Sequence, residues 1–497
     1  MQIRDRYAPS PTGLQHIGGI RTALFNYLLA RSERRRSGEG AFILRLEDTD
    51  RGRFDPRYVE NLYDTFAWLG IRWDEGPDVG GPGGSYIQSE RIDVYKKYAL
   101  ELLARDRAYY CFCSSERLER LREEREAAHG SQTGYDRHCR DIDPPEARRR
   151  VEAGEPCTVR LKIPLGEHTR FRDQILGDVE WKNDDVNPDP VLIKSDGFPT
   201  YHLANVVDDH LMGITHVLRA QEWLSSTPLH VIMYGAFGWK PPEFCHLPLI
   251  MGTDGKKLSK RHGATSVDEF RSQGCLSEAL INYVALLGAS YEEGKDIYTL
   301  EELEERFSLD KLNKAPAIFD YKKLEWYNGV YIRMKSDGEL AELCLPYALR
   351  DGLFGGPGRE PDEKQRVLFT RAMPLIRERL VYLSEAAARL GYLFAEPEVP
   401  PAEEFIPKKG DLAAAAALLR RGRELVKDLA EAAGDEEAEA LVKDYAEKNT
   451  VKLGDLMMPL RVAITGARVS PPLFGSLRLL GTEKSLERVD RALAKLA

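Results

Sequence analysis

Ile3-Arg4-Asp5-Arg6-Tyr7-Ala8-Pro9-Ser10-Pro11-Thr12-Gly13-Leu14-Gln15-His16-Ile17-Gly18-Gly19 and the run that follows it, Ile20 to Ala30, form the stretch whose reading decides the fold. Ile3 to Ala8 predicts a first strand, and Pro9 to Gly13 a turn. Ile20 to Ala30 carries apolar residues at helical spacing. Ala41 to Leu46 predicts a second strand, and Asn61 to Leu69 an amphipathic helix. Strand, glycine turn, helix and strand in that order begin an α/β fold with a parallel sheet.

Working outward, Asp78 to Ser85 is a glycine-rich loop. From Tyr109 to Asn187 the chain turns polar and gains cysteines, with strand-like pieces such as Thr158 to Ile163; this predicts an inserted domain. The α/β pattern returns at Val191 and continues to Ala264. Leu276 to Leu287 and Leu300 to Phe307 predict helices. Beyond Leu324 strand signals fade, and Leu412 to Ala433 and Ser485 to Leu496 are rich in helix formers. Asp351 to Asp362, rich in Gly and Pro, is a candidate linker. The expected organisation is a Rossmann-type half at 1–108, an insertion at 109–190, the second half at 191–264, a helical region at 265–324 and an all-helical region at 325–497. A chain of 497 residues is long enough for several domains.

No apolar run approaches the roughly 18 residues that a bilayer span needs. The first residues are charged and lack a secretory h-region. Seven Cys in so long a chain do not read as a disulfide framework, which points to a reducing cytoplasm. The net charge of −9 argues against nucleic acid only on average, since binding depends on where Lys and Arg cluster. Arg31, Arg34, Arg35 and Arg36 form one cluster, and Arg137, Arg140, Arg148, Arg149 and Arg150 another. Charge alone reads both as solvated helix faces.

Two segments carry chemistry. The turn ending in His16-Ile17-Gly18-Gly19 lies where a strand meets a helix N-terminus, and backbone N–H groups there attract phosphate. Glycines let a nucleotide approach the backbone, or they serve close helix–strand packing. Gly255-Lys256-Lys257-Leu258-Ser259-Lys260-Arg261-His262-Gly263 is a basic loop able to clamp a triphosphate and neutralise a departing pyrophosphate, or a solvated charged loop.

Together these segments resemble the "HIGH" and "KMSKS" signatures of class I aminoacyl-tRNA synthetases, in the right order. Gly19, Leu258 and Arg261 depart from the signatures in a manner familiar in the bacterial-type glutamyl branch. Further stretches resemble that branch: Arg6 to Gly13; Arg45-Leu46-Glu47-Asp48-Thr49-Asp50; Tyr201 to His210; Leu218-Arg219-Ala220-Gln221-Glu222-Trp223; and Met458 to Ala463 with Leu479-Leu480-Gly481 near the end. The resemblance implies that Arg6, Ala8, Ser10, Glu47, Tyr201, Asn205 and Arg219 surround L-glutamate. Two arginines suit its two carboxylates and Glu47 its ammonium. Arg219 is expected at the side-chain carboxylate because glutaminyl relatives lack an arginine there, though its division of labour with Arg6 stays open. The resemblance further implies that ATP and Mg²⁺ meet His16, Gly18, Gly19, Glu222, Trp223, Leu249, Ile250, Lys257, Ser259 and Lys260, with His16, Lys257 and Lys260 catalytic. The partner it implies is tRNA-Glu, and a monomer is the family default.

Cys111, Cys113 and Cys139 suit a tetrahedral zinc, with Tyr135 or His138 as fourth ligand; free thiols are the alternative. Relatives pair the last cysteine with a tyrosine four residues earlier, which matches Tyr135, or with a histidine two residues later, which Asp141 does not match. Arg377 and Arg379 are candidates for reading an anticodon base, or solvated helix residues. Three rivals stand beside the main expectation: an enzyme that also charges tRNA-Gln, a short relative that glutamylates queuosine in tRNA, and a catalytically idle tRNA-binding paralogue. The long helical region after Leu324 opposes the second, and intact His16, Lys257, Lys260, Glu47 and Arg219 oppose the third.

Overall fold

The computed structural model of the chain describes residues 3–50, 52–127, 134–407 and 410–497. It divides into two compact units, Met1–Phe270 with Leu280–Tyr321, and Arg271–Ala279 with Lys322–Ala497.

The first unit opens as the sequence predicts. Strand β1 (Arg4–Tyr7) is followed by helix α1 (Ile17–Ser37) and strand β2 (Ala41–Leu44), and β1 pairs with β2 in parallel, Arg6 opposite Ile43. Helix α1 runs to Ser37 and stops where Gly38 adopts a left-handed φ of 80° and returns its N–H to Arg34 O. Helix α2 (Pro56–Leu69) is bounded by local signals: Asp55 caps it by accepting from Arg57 N, Pro56 starts it, and Gly70 closes it in the left-handed region.

Next come α3 (Ile92–Ala104), β3 (Ala108–Cys111), α4 (Ser115–Ala127), α5 (Pro144–Glu152), β4 (Thr158–Leu161), β5 (His168–Asp173), β6 (Gly177–Lys182) and β7 (Val191–Ile193). Then follow α6 (Tyr201–Leu211), β8 (His216–Ala220), α7 (Thr227–Phe237) and β9 (Glu243–Leu247). Strands β3, β4 and β7 form an antiparallel sheet. Its inner residues Val159, Leu161 and Leu192 share one hydrophobic core with Leu203 and Val207 of α6 and Met233 and Phe237 of α7. A second sheet has the order β6-β5-β9-β8, in which β8 and β9 are parallel with Arg219 opposite His246. Thr215 N donates to Arg4 O and Asn26 Nδ2 to Leu218 O, tying β1 and α1 to β8.

The second unit is helical among its described residues. Its helices are started by local caps, as where Ser336 and Glu339 bond each other's backbone N–H at Asp337–Arg350, and Asp362 and Gln365 do so at Glu363–Ile376. Asp351 to Asp362 is not an interdomain linker. It joins these two helices within the same unit, folded by Gly352, Gly355, Gly356 and Gly358 at positive φ. The farther helices pack on Leu419, Val426, Leu456, Leu460, Leu477 and Val489.

The arginine clusters form internal ion pairs. Arg31 and Arg34 both take Asp74, Arg35 takes Glu304 and Arg36 takes Glu33. Arg140 takes Asp189, Arg149 takes Glu146 and Arg150 takes Glu155. Arg34, Arg35, Arg36 and Arg149 are exposed on helices as expected, whereas Arg31 is half-buried against Asp74 and Arg140 lies in a turn against the buried Asp189. No helix among the described residues is long and apolar enough to cross a membrane.

Candidate active site

The two signature segments meet in space. Thr265 to Val267, just past the basic loop, pairs antiparallel with Gln15 to Ile17: Ile17 N donates to Thr265 O at 3.1 Å and Val267 N to Gln15 O at 3.0 Å. His16 caps α1, its Nδ1 accepting from Gly19 N at 3.2 Å. An accepting Nδ1 leaves the ring proton on Nε2, so His16 presents a donor outward. The ring reaches solvent, yet surrounding protein and the Lys257 charge lower its pKa and favour this neutral form.

The helix N-terminus is less open than the sequence suggests. Ile17 and Gly19 already have acceptors, which leaves Gly18 N–H as the open donor of that turn among the described residues. The glycines also serve packing: a Cβ on Gly19 would stand 2.8 Å from Tyr7 Oη, and one on Gly18 3.2 Å from the His16 ring.

The basic loop begins as a turn in which Gly252 N bonds Lys256 O and Leu258 N bonds Ile250 O. Lys257 is ion-paired with Glu222, whereas no ion pair is recorded for Lys260 among the described residues. Ser259 caps the short turn Lys260–His262. Leu249 O accepts from Ala317 N, and Ile250 is buried. Trp223 exposes much of its indole and lies 4.7 Å, centroid to centroid, from Tyr201.

Behind these segments lies a buried ionic cluster. Arg6 binds Asp209 with two bonds, Nε to Oδ1 at 3.0 Å and Nη2 to Oδ2 at 3.1 Å, and its Nη1 stays without a partner among the described residues. Arg45, fully buried, joins Asp209 at 2.7 Å and Glu47 at 2.9 Å. Asp208 takes Arg91 at 2.8 Å, Tyr95 Oη at 2.8 Å and Gln88 Nε2 at 3.0 Å. Three cations, Arg6, Arg45 and Arg91, thus face three carboxylates, Glu47, Asp208 and Asp209. Arg45, Asp208 and Asp209 lie inside stretches singled out above without having been named as site residues, and Arg91 lies outside those stretches.

Glu47 uses only Oε1 in this cluster, for Arg45 and for Asn205 Nδ2 at 3.3 Å. Burial raises its pKa despite Arg45, so an additional positive charge at Oε2 would be stabilising. Ala8 and Ser10 follow directly on β1, where Glu47 N bonds Pro9 O.

Arg219 sits differently. It is 5% exposed, and no carboxylate lies within ion-pair distance of it among the described residues. Its partners are neutral: Tyr201 Oη at 3.2 Å, Thr227 Oγ1 at 2.7 Å, His246 Nε2 at 3.1 Å, His230 Nδ1 at 3.3 Å and Trp223 O at 3.4 Å. Burial therefore lowers its pKa, while the pKa of Arg6 is raised, because Asp209 more than offsets burial there. An unbalanced buried cation is costly unless an anion arrives. Thr227 and His230 reach Arg219 from α7 and His246 from β9, while Asp173 on β5 touches only His246 of this set, so no local sequence signal joined them.

In the β3–β4 region, Cys111, Cys113 and Cys139 place their sulfur atoms within 4.8 Å of one another. Tyr135 Oη faces the same point, 3.3 Å from Cys111 Sγ and 3.6 Å from Cys113 Sγ. His138 is exposed and does not join the group. Arg117 reaches Cys113 Sγ at 3.5 Å, and the Arg160 guanidinium lies 3.8 Å over the Tyr135 ring. Three converging soft donors, one phenol and two flanking cations fit an ion bound by thiolates.

In the second unit, Arg377 and Arg379 lie in a short 3₁₀ helix, Arg377–Arg379, directly after Glu363–Ile376. Arg377 is ion-paired with Asp337, and Arg379 Nη1 donates to Ser470 O at 2.7 Å.

Known proteins resemble the chain over its whole length. A family model described as tRNA synthetases class I (E and Q), catalytic domain, matches residues 2–326, and an anticodon binding domain matches 339–493. The chain is 54% identical to a glutamate–tRNA ligase of Treponema denticola, covering 100% of both chains. It is 48% identical to one of Borrelia recurrentis, covering 99% of this chain and 95% of that one. A crystal structure of a glutamate tRNA ligase from Elizabethkingia meningosepticum, in complex with its amino acid, superposes with a TM-score of 0.86 at 33% identity over 100% of both chains. The chain therefore belongs to the class I tRNA synthetases of the E and Q family.

Proposed function

We propose that this chain attaches L-glutamate to the 3′-terminal adenosine of tRNA-Glu at the expense of ATP. The observation that carries the reading is the surplus charge on Arg219. The Arg6 cluster is balanced, so an amino acid of net charge −1 would neutralise what Arg219 adds. In this reading Arg219 and Tyr201 take the side-chain carboxylate. The open Nη1 of Arg6 serves the α-carboxylate, Glu47 Oε2 meets the ammonium, and Ala8, Ser10 and Asn205 line the site.

The first step is an in-line displacement. A glutamate α-carboxylate oxygen bonds to the α-phosphorus of ATP, the bond to the bridging oxygen breaks, and pyrophosphate leaves with the electron pair. No protein nucleophile is required; positioning and charge stabilisation lower the barrier. His16 Nε2–H and Gly18 N–H donate to phosphate oxygens, Gly19 lets the nucleotide approach, and Lys257 and Lys260 meet the charge building on pyrophosphate. Glu222, Trp223, Leu249, Ile250 and Ser259 line the nucleotide side. Mg²⁺, brought in with ATP, would add positive charge against the phosphates beside Lys257 and Lys260. In the second step a terminal ribose hydroxyl attacks the adenylate carbonyl and AMP leaves.

Cys111, Cys113, Cys139 and Tyr135 would hold one structural zinc, which would fix the segment from Tyr135 to Cys139 against the end of β3. Arg377 and Arg379 are the proposed anticodon contacts, on release from Asp337 and Ser470. The seven free thiols support a reducing cytoplasm as the compartment.

The test is pyrophosphate exchange with and without tRNA. We expect exchange with glutamate, dependent on tRNA, and little with glutamine. Exchange equal for the two amino acids, or none under any condition, would overturn the reading.

A further inference from the structure

The sheet order β5-β9-β8 brings Asp173, His246 and Arg219 together from three neighbouring strands, with Arg219 directly opposite His246 and Asp173 opposite Phe244, two residues away. These residues meet end to end. Arg219 Nε lies 3.1 Å from His246 Nε2, and His246 Nδ1 lies 2.6 Å from Asp173 Oδ2. On the other side of the guanidinium, Arg219 Nη1 lies 3.3 Å from His230 Nδ1, and His230 Nε2 lies 3.1 Å from His202 Nδ1.

A guanidinium has only donors. Each ring nitrogen facing it must therefore be an unprotonated acceptor. That assigns the His246 proton to Nδ1, where Asp173 accepts it, and the His230 proton to Nε2, where His202 Nδ1 accepts it. Neither ring carries charge in this arrangement. Burial, joined by the charge of Arg219, lowers the pKa of His202 to about 4 and that of His230 well below its usual range. Burial also lowers His246, despite Asp173.

The Asp173 carboxylate is kept one ring away from Arg219. It is bonded instead by the N–H groups of Ile175 and Leu176, at 3.0 and 2.9 Å, and by that of His246 at 3.1 Å. A carboxylate touching Arg219 would balance its charge as Asp209 balances that of Arg6, leaving open donors but less net pull on a second anion.

We propose that His246 and His230 are positioning residues that orient Arg219 through unprotonated nitrogens while withholding negative charge, so that the guanidinium stays available to the side-chain carboxylate of the substrate. The inference rests on the reading of Arg219 given above.

Isosteres of the two ring nitrogens test it. A Gln side chain can put an acceptor where Nε2 stands, and Asn can put a polar group where Nδ1 stands. At position 246 the acceptor for Arg219 is Nε2; at position 230 it is Nδ1. The ratio of kcat/KM for glutamate over glutamine should therefore survive in His246→Gln and His230→Asn. It should fall by about tenfold or more in His246→Asn and His230→Gln, the scale of an outer partner that orients a binding group. KM for ATP and the unfolding midpoint serve as controls.

A ring that merely fills space or holds Asp173 gives another pattern. His246→Asn would then retain the ratio and His246→Gln would not, which overturns the inference, as do four unchanged ratios. Arg219→Gln, run alongside, separates the two failures. If it collapses the ratio while the histidine variants do not follow the crossed pattern, only the positioning inference falls. If it leaves the ratio intact, the reading of Arg219 falls and this one with it.

Discussion

Arg6 and Arg219 are both nearly inaccessible to solvent, and both stand on strands that flank the same helix α1, yet their surroundings are opposites. Arg6 is locked by two bonds to Asp209, inside a cluster where cations and carboxylates balance. Arg219 is held by a phenol, a hydroxyl, a carbonyl and two imidazoles, none of them anionic. The difference separates two uses of a buried charge. A balanced pair holds the fold in one geometry, whereas an unbalanced one is ready for an anion that the protein does not itself supply.

The largest expected effect comes from breaking the balanced side. Arg45→Met should strand Glu47 in a buried site, leave Asp209 with Arg6 as its remaining cation, and cost about 3–5 kcal/mol of stability. Urea unfolding measures it; a loss of only a few tenths would mean that the cluster does not anchor the site.

The same contrast recurs in the basic loop, where Lys257 has Glu222 and Lys260 forms no ion pair among the described residues. Lys260→Ala and Lys257→Ala should each slow pyrophosphate exchange by about 10²–10³, the cost of losing a transition-state contact. tRNA affinity should be unchanged. Normal exchange with weakened tRNA binding would make the loop a backbone contact instead.

A smaller effect is expected at the thiol cluster, whose geometry is remote from substrate charge. Protein purified without chelator should carry about one equivalent of zinc. Its removal should lower the unfolding midpoint and leave the glutamate-to-glutamine preference intact. Metal-free protein of full stability would return Cys111, Cys113 and Cys139 to ordinary packing.

How much of this was legible in the sequence follows from the range of each interaction. The β1–α1–β2 unit is written in local signals: the Pro/Gly turn from Pro9 to Gly13, helical periodicity from Ile20, and Gly38 at the end of α1. The signature segments were legible as resemblances, and the pairing of Thr265 to Val267 with Gln15 to Ile17 gives their proximity a backbone cause. What stayed hidden was partnership at long range. His246 meets Asp173 across 73 positions and Arg45 meets Asp209 across 164. No spacing rule connects such pairs; sheet order does. The reading of Asp351 to Asp362 as a linker failed for a related reason, since Gly and Pro mark a tight connection between packed helices as readily as a boundary.

The central claim is that Arg219 keeps its charge for the side chain of glutamate. The direct measurement is kcat/KM for glutamate and for glutamine in Arg219→Gln. Glutamine sets a neutral amide with donors of its own against a donor-only guanidinium, so wild type should reject it strongly. The substitution should lower the glutamate-to-glutamine ratio by about 10² or more, because a buried carboxylate loses its only cation while the amide loses a mismatch. Equal losses on the two amino acids would contradict the account: Arg219 would then hold the shared α-carboxylate, and Arg6 would be left to face the side chain.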